Sequence, residues 1–145
     1  MPREEVLLFS LKKLSIARST IASNLATGGA GDSGGLFSNK SGAVLTILKT
    51  TFIGNESLDR GEGIHILGVN TELSIITSKF SGNKATGACM GTGEGLSLGS
   101  TGFITLSKNL VHQDIALDGN GGGLLLREAV LKTFPGILFE GIRVI

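Results

Sequence analysis

Glu62 and Glu94 each stand between two glycines at equivalent places in consecutive turns. Two carboxylates held about 5 Å apart could share a proton, hold calcium or form the pair of a retaining glycosidase. Neighbours that could assist are Asp59, Arg60 and His65. The simpler interpretation, which the sequence favours, is that both glutamates are solvated corner residues.

A second candidate chemistry is nucleophilic catalysis. Ser33 lies in GDSGG, which resembles the nucleophile motif of chymotrypsin-like serine proteases, and Asp114 lies in DIAL, which resembles their orienting aspartate. That family places histidine first and serine last, and the surroundings of His65 and His112 do not match its histidine motif. The sequence therefore argues against a protease.

Metal and cofactor signatures are missing from the sequence. His65 and His112 are isolated, so we expect surface or strand positions rather than coordination. Cys89 is the single cysteine, which excludes an intramolecular disulfide and favours a small buried apolar side chain. The segment GGAGDSGG departs from the calcium-binding nonapeptide, and no P-loop or dinucleotide fingerprint occurs. We assign no catalytic, cofactor-binding or metal-ligating residues.

The elements that must position these residues are repeats of roughly 28 to 31 residues. The anchors are Asn24, Asn55 and Asn83, with Gln113 in the fourth place. Three residues before them stand Ile21, Phe52, Phe80 and Leu110. Ten before stand Leu14, Leu45, Leu73 and Phe103, and two after stand Ala26, Ser57, Ala85 and Ile115. Eight before stand Ile16, Ile47, Ile75 and Thr105, where a slip by one residue would let Ile104 and Leu106 take over.

Apolar residues alternate with Ser and Thr within each repeat, as in Leu73-Ser74-Ile75, and this period predicts strands. The unit is too short for a propeller blade, which leaves a coil of a parallel β-helix. Stacked coils would place the apolar anchors in one column and the asparagines in a hydrogen-bonded ladder. Asparagine and the glycine pairs are also expected to supply the left-handed backbone of sharp corners.

The N-terminal residues 1–13 differ from the repeats. Glu4 and Glu5 early, Lys12 and Lys13 late, and leucines on one face predict a short amphipathic helix that closes one end. A strand over VLLFSL is the alternative. The predicted organisation is an N-terminal cap over 1–13 and β-helix repeats over 14–145, with a degraded fifth unit from residue 129.

Composition limits the class of protein. With 145 residues, of which 41% are hydrophobic, the chain suits one domain with an interior. A formal net charge of +1 argues against nucleic-acid binding. No apolar window is long enough for a transmembrane helix, and the start does not look like a secretory signal.

The repeat motifs resemble those of the chlamydial polymorphic outer-membrane proteins, which carry Phe-x-x-Asn and Gly-Gly-Ala-(Ile/Leu/Val). Phe52 to Asn55 and Phe80 to Asn83 match the first motif. Gly34-Gly35-Leu36 and Gly122-Gly123-Leu124 match the second without its alanine. Such motifs also occur in right-handed β-helices of the pectin-lyase-like class. The resemblance implies a right-handed β-helix and a surface-exposed, non-catalytic adhesive passenger.

The sequence thus predicts an all-β, single-stranded, right-handed parallel β-helix, or solenoid, of about four to five coils. The favoured function is a surface or secreted module without catalysis, from a larger protein or standing alone. The alternative is a carbohydrate-active enzyme or its inactive remnant, on Glu62 and Glu94. Expected partners are a host-cell or cell-surface receptor, or another copy through open strand edges. The residues alone do not indicate a cellular compartment. If the family resemblance holds, it implies the cell surface or the extracellular space.

Overall fold

The computed structural model describes most of the chain in segments. These are residues 7–9, 12–27, 33–57, 63–86, 91–92, 95–99, 102–116, 119–120, 124–127, 130–133, 136, 138–140 and 143–144. Side chains are described within residues 12–27, 33–57, 63–86, 95–98 and 102–114.

The described residues form short strands and turns, and none of them is helical. The strands of the first half are β1 Leu7–Phe9, β2 Lys13–Ala17, β3 Thr20–Ala22, β4 Leu25–Ala26, β5 Leu36–Ser38, β6 Val44–Leu48, β7 Thr51–Ile53, β8 Glu56–Ser57, β9 Ile64–Ile66, β10 Glu72–Ile76 and β11 Lys79–Ser81. Those of the second half are β12 Lys84–Ala85, β13 Gly91–Thr92, β14 Leu96–Gly99, β15 Phe103–Ser107, β16 Leu110–His112, β17 Ile115–Ala116, β18 Gly119–Asn120, β19 Leu124–Arg127, β20 Val130–Thr133, β21 Leu138–Glu140 and β22 Arg143–Val144.

The strands form four five-stranded sheets and one two-stranded sheet, β13 with β18. Sheet I contains β1, β5, β9, β14 and β19, and sheet II contains β2, β6, β10, β15 and β20. Sheet III contains β3, β7, β11, β16 and β21, and sheet IV contains β4, β8, β12, β17 and β22. All described pairings are parallel. Each of the four five-stranded sheets takes one strand from each of five successive turns of the chain, β1–β4, β5–β8, β9–β12, β14–β17 and β19–β22.

The N-terminal helix prediction is wrong where the structure describes that segment. Leu7–Phe9 is a strand, in register with Leu36–Ser38 of sheet I. Three consecutive apolar residues beside a strand of matching length gain a parallel ladder partner, which outweighs helical periodicity over so short a segment. The alternative, a strand within VLLFSL, is confirmed at these residues. The boundary at residue 14 stays a prediction.

Equivalent side chains of successive repeats lie opposite one another in sheet II. Leu73 pairs with Leu45 and with Ile104. Ile75 likewise pairs with Leu106, which confirms the predicted slip by one residue. Phe103, predicted to be an inward anchor, is 43% exposed instead, because alternation along the strand turns it outward.

The residues predicted for the fourth anchor are also wrong by one position. Val111 stands opposite Phe80, where Leu110 was predicted. Asp114 replaces Gln113 beside Asn83, 31 residues along the chain. By the same shift Ala116 replaces Ile115 opposite Ala85. Val111 is fully buried and Leu110 is only half-buried, and a slip of one residue would exchange the two faces of the strand.

The interior is a column of apolar side chains between the sheets. Phe52 and Phe80 are both fully buried, and their rings stack with centroids 5.0 Å apart and planes 6° from parallel. Leu, Ile and Val from sheets I, II and III complete the cluster: Leu36, Leu45, Ile47, Ile64, Ile66, Leu73, Ile75, Leu96, Leu98, Ile104, Leu106 and Val111. The predicted apolar column is confirmed.

Left-handed backbone recurs at two corners in each of four repeats, and neither corner falls on an anchor asparagine. A third left-handed position precedes sheet II at Gly42 and Asn70. The residues with positive φ before the anchors are Ser23, Gly54, Gly82 and Gln113. Those after the strands of sheet II are Arg18, Lys49, Thr77 and Lys108. The expectation is therefore wrong for the anchor asparagines Asn24, Asn55 and Asn83 and for the described glycines of the pairs, whereas Asn70, outside the anchors, does adopt this conformation. A Cβ on Gly34 would lie 2.7 Å from the Glu56 carbonyl oxygen, so close backbone approach explains that glycine.

Replacing Phe80 with alanine should remove one ring of the stacked pair and leave a cavity against Phe52. We expect a loss of about 3–5 kcal/mol in the free energy of unfolding, measured by urea denaturation. The matched control is Phe103→Ala, the same substitution at an exposed ring, where we expect a change within about 0.5 kcal/mol. Equal losses in the two variants would contradict the assignment of Phe80 to the core.

Candidate functional site

A ladder of polar side chains runs through the interior behind the phenylalanine column. Asn55, Asn83 and Asp114 are fully buried, and Asn24 is half-buried at one end. The Nδ2 of Asn24 donates to Oδ1 of Asn55 at 3.0 Å, and the Nδ2 of Asn55 donates to Oδ1 of Asn83 at 3.0 Å. The Nδ2 of Asn83 donates to Oδ1 of Asp114 at 2.8 Å. The predicted asparagine ladder is confirmed, and an acid continues it.

Each amide of the ladder also satisfies the backbone around it. The Oδ1 of Asn83 accepts the backbone N–H of Asn55 at 3.1 Å. The Nδ2 of Asn83 donates a second bond, to the carbonyl of Phe52 at 3.2 Å. Asn55 does the same to the carbonyl of Ile21 at 3.1 Å. Both amide hydrogens and the amide oxygen are thus used, which offsets the cost of burying the group.

Asp114 is the one titratable member of the ladder. Its Oδ1 accepts from the backbone N–H and from Nδ2 of Asn83, both at 2.8 Å. Its Oδ2 is buried and has no hydrogen-bond partner among the described residues. Desolvation raises the pKa of this carboxyl to about 7, although the two bonds from Asn83 act in the opposite direction.

A second polar ladder follows the other left-handed corner. The hydroxyl of Ser78 accepts the backbone N–H of Thr50 at 3.2 Å and donates to the carbonyl of Ile76 at 3.1 Å. Asn109 continues the series, because its Oδ1 accepts the N–H of Ser78 at 2.8 Å. Its Nδ2 donates to the carbonyl of Ile75 at 2.8 Å. Both corners of the repeat are therefore hydrogen-bonded by side chains of the neighbouring repeats.

The outer face of sheet II carries an open groove of about 360 Å³. Side chains that line it include Val44, Thr46, Glu72, Ser74, Phe103 and Thr105. Val44, Glu72 and Phe103 form one row across neighbouring strands, and Thr46, Ser74 and Thr105 form the next. We name these six residues the sheet II groove.

The sheet II groove combines three kinds of contact. Glu72 is exposed and can accept hydrogen bonds, and three hydroxyls can donate or accept them. Phe103 is 43% exposed and offers an apolar ring. A carboxylate, hydroxyls and one ring suit a polar ligand with both hydroxyl groups and apolar C–H faces, such as a sugar.

The residues that resemble a serine protease have other partners. Ser33 is fully buried, and its hydroxyl accepts the backbone N–H of Gly35 at 3.3 Å. Asp114 bonds to Asn83 instead of to a histidine nitrogen. The described contacts of both residues are therefore made within their own repeat or to the neighbouring one.

The two histidines lie on strands of different sheets. His65 is on β9 of sheet I, is 1% exposed, and lies with its ring centroid 5.5 Å from that of Phe37. His112 is on β16 of sheet III and is half-buried. The other candidates of the sequence lie outside the described residues: Asp59, Arg60, Glu62, Cys89 and Glu94.

No group of three or more His, Cys, Asp or Glu side chains suited to a metal ion occurs in the part of the chain that the structure describes. Within the same residues, no helix is long and apolar enough to span a bilayer. Comparison of the chain with protein-family models, curated proteins and solved structures gives no significant match. The function is therefore inferred from the residues themselves.

The sheet II groove was not predicted from the sequence, because Phe103 was kept among the apolar anchors even though the slip to Ile104 and Leu106 was foreseen. The signal was present, since Ile104 and Leu106 alternate with Phe103 and Thr105, and only one of the two sets can face the core. Followed through to the outer face of the sheet, the predicted slip places Phe103 and Glu72 in one outer row.

Replacing Asn83 with alanine should leave the N–H and Nδ2 of Asn55 without their acceptor and free the carbonyl of Phe52. We expect a loss of about 2–4 kcal/mol in the free energy of unfolding, because buried donors lose their bonds. The control Asn39→Ala changes the same residue type at an exposed position and should shift the free energy by less than about 0.5 kcal/mol. Urea denaturation of both variants measures the difference, and an undiminished stability of Asn83→Ala would contradict a structural ladder.

Proposed function

We propose that the chain is a right-handed parallel β-helix of about four to five coils. Support comes from four parallel sheets that each take one strand from each of five successive turns of the chain. Further support is the like-on-like pairing of Phe52 with Phe80 and of Asn55 with Asn83. Consecutive short strands, feeding successive parallel sheets, are the pattern of a coil that returns to its start after each repeat.

In this proposal the β-helix is a non-catalytic adhesive module that presents the sheet II groove to a ligand at a cell surface or outside the cell. The observation that carries it is the row of Val44, Glu72 and Phe103, held in register by three parallel strands. Val44 is 36% and Phe103 is 43% exposed, so a rigid sheet offers apolar contact next to a carboxylate. Preorganised side chains bind with a small loss of conformational entropy. The resemblance to chlamydial polymorphic outer-membrane repeats adds a host-cell or cell-surface receptor as the partner.

Saturable binding of the labelled protein to cultured animal cells tests the adhesive function. We expect Phe103→Ala and Glu72→Gln each to weaken binding about tenfold or more, since central contacts supply most of the binding free energy. The control Ile53→Ala removes an exposed apolar side chain on sheet III and should leave binding unchanged. Binding that is insensitive to both groove variants would contradict the groove as the adhesive surface.

The second candidate is a carbohydrate-active enzyme or its remnant. Glu72 beside the hydroxyls of Thr46, Ser74 and Thr105 favours a sugar as the occupant of the groove. The candidate acid and base in this case are Glu62 and Glu94, with Asp59 and Arg60 as neighbours.

A panel of uronic-acid polymers distinguishes the two candidates. The adhesive module should release no new reducing ends or unsaturated products from any of them. Turnover by the unaltered protein that is lost in the double variant Glu62→Gln/Glu94→Gln would replace the adhesive function by the enzymatic one.

The strand edges suggest self-association as a further partner. β1, β2, β3 and β4 each form one edge of a described sheet, and an unpaired parallel edge accepts another strand. Light scattering should show mass increasing with protein concentration. A strictly monomeric species at high concentration would contradict association through these edges.

A further inference from the structure

The side-chain ladder requires both a donor and an acceptor at every rung. In Asn55 and Asn83 the oxygen accepts from the preceding rung, and Nδ2 also donates to a backbone carbonyl of the preceding repeat. That carbonyl belongs each time to the residue three places before the preceding anchor, first Ile21 and then Phe52. For the rung at Asp114, whose preceding anchor is Asn83, the equivalent carbonyl belongs to Phe80.

Asp114 reproduces only half of this pattern as a carboxylate. Its Oδ1 accepts from Asn83 as an amide oxygen would. Its Oδ2 takes the place of the amide nitrogen, is buried, and has no hydrogen-bond partner among the described side chains and backbone. An ionised carboxylate has no hydrogen to donate, so a carbonyl at the equivalent position would face a second acceptor.

We propose that Asp114 is protonated in the folded protein and that its carboxylic O–H donates to the carbonyl of Phe80. A neutral carboxylic acid has one donor and one acceptor, as the ladder requires at this rung. The proton converts the acid into a structural substitute for asparagine, and it leaves when the chain unfolds in water.

The surroundings of Asp114 agree with a neutral group. The residue is fully buried, and burial raises the pKa of its carboxyl from 3.8 to about 7. Its two described hydrogen bonds come from the uncharged donors of Asn83. An unpaired buried charge is strongly unfavourable, so the group takes up a proton instead.

The strands next to Asp114 carry several charged or titratable residues. On β12, Lys84 is 42% exposed and forms an ion pair with Glu56 of β8 at 3.9 Å. On β16, His112 is half-buried. On the following strands, Glu140 is in register with His112, and Arg143 with Ile115. His112 lies two residues before Asp114 on the chain and carries an imidazole, so it is the side chain to test as a control.

The consequence is a fold whose stability falls as the pH rises. Between the unfolded pKa near 3.8 and the folded pKa of about 7, the folded chain holds a proton that the unfolded chain has released. The stabilisation is complete below the lower value and is lost as the pH rises through the upper one. In this window the ratio of folded to unfolded protein should fall about tenfold per pH unit through Asp114 alone.

The variant Asp114→Asn tests the proposal, because it supplies the donor permanently. Urea denaturation of the variant and of the unaltered protein should be measured at several pH values from 4 to 8. The ratio of folded to unfolded protein in Asp114→Asn, divided by the same ratio in the unaltered protein, should increase about tenfold per pH unit from near pH 4 to near pH 7. Above pH 7 it should level off. A constant difference across this range would overturn the proposal.

Two further measurements separate Asp114 from other groups. The stability of His112→Gln should still fall with rising pH when it is compared with the stability of Asp114→Asn. If His112→Gln does not show this fall, the pH dependence belongs to the imidazole and not to Asp114. In the unaltered protein, the ¹³C resonance of the Asp114 carboxyl should titrate near pH 7. A resonance that shows an ionised carboxylate at pH 5 would overturn the proposal even if Asp114→Asn failed to fold.

Discussion

Contact between like side chains of successive repeats is the interaction on which the structure depends. Phe52 lies on Phe80, and Asn55 donates to Asn83, because parallel strands bring equivalent residues into direct register. The apolar contacts supply most of the stabilisation, since side chains such as Leu45 and Ile75 are fully buried. The asparagine amides fix the register between the repeats, because a shift by one residue would leave buried donors without acceptors.

The two polar ladders add side-chain hydrogen bonds to the backbone bonds that join each corner to the neighbouring repeat, such as the one from the Gly54 N–H to the Ser81 carbonyl at 3.0 Å. Left-handed residues such as Gly54 and Lys49 turn the chain abruptly, and the next residue, Asn55 or Thr50, bonds to the neighbouring repeat. Each corner is thus stabilised by the repeat beside it instead of by itself. This dependence makes the stability of one repeat inseparable from that of its neighbours.

Much of this architecture could be predicted from the sequence, because the same physical requirement recurs in every repeat. The apolar column through Phe52 and Phe80 and the asparagine ladder follow from residue type and spacing alone. The fourth repeat could not be placed as reliably, since Leu110 and Val111 are both apolar and only their burial distinguishes them. That one-residue error hid Asp114 as a rung of the ladder. Phe103 was missed because it was kept among the inward anchors, although the predicted slip to Ile104 and Leu106 turns it outward.

The N-terminal segment shows a different limit. Acids followed by leucines and lysines suit a helix in isolation, whereas Leu7–Phe9 pairs with Leu36–Ser38 far along the chain. Local periodicity does not report such a distant partner. The same holds for the sheet II groove, which exists only because β6, β10 and β15 lie side by side.

Methyl-to-methyl nuclear Overhauser contacts in an Ile- and Leu-labelled sample test the register between repeats most directly. We expect cross-peaks between Ile47 and Ile75 and between Ile75 and Leu106, which lie on adjacent strands. No cross-peak is expected between Ile47 and Leu106, since two strand spacings amount to about 9.6 Å. Absence of the contact between Ile47 and Ile75, in a sample whose other methyl contacts are observed, would contradict the stacking of equivalent residues.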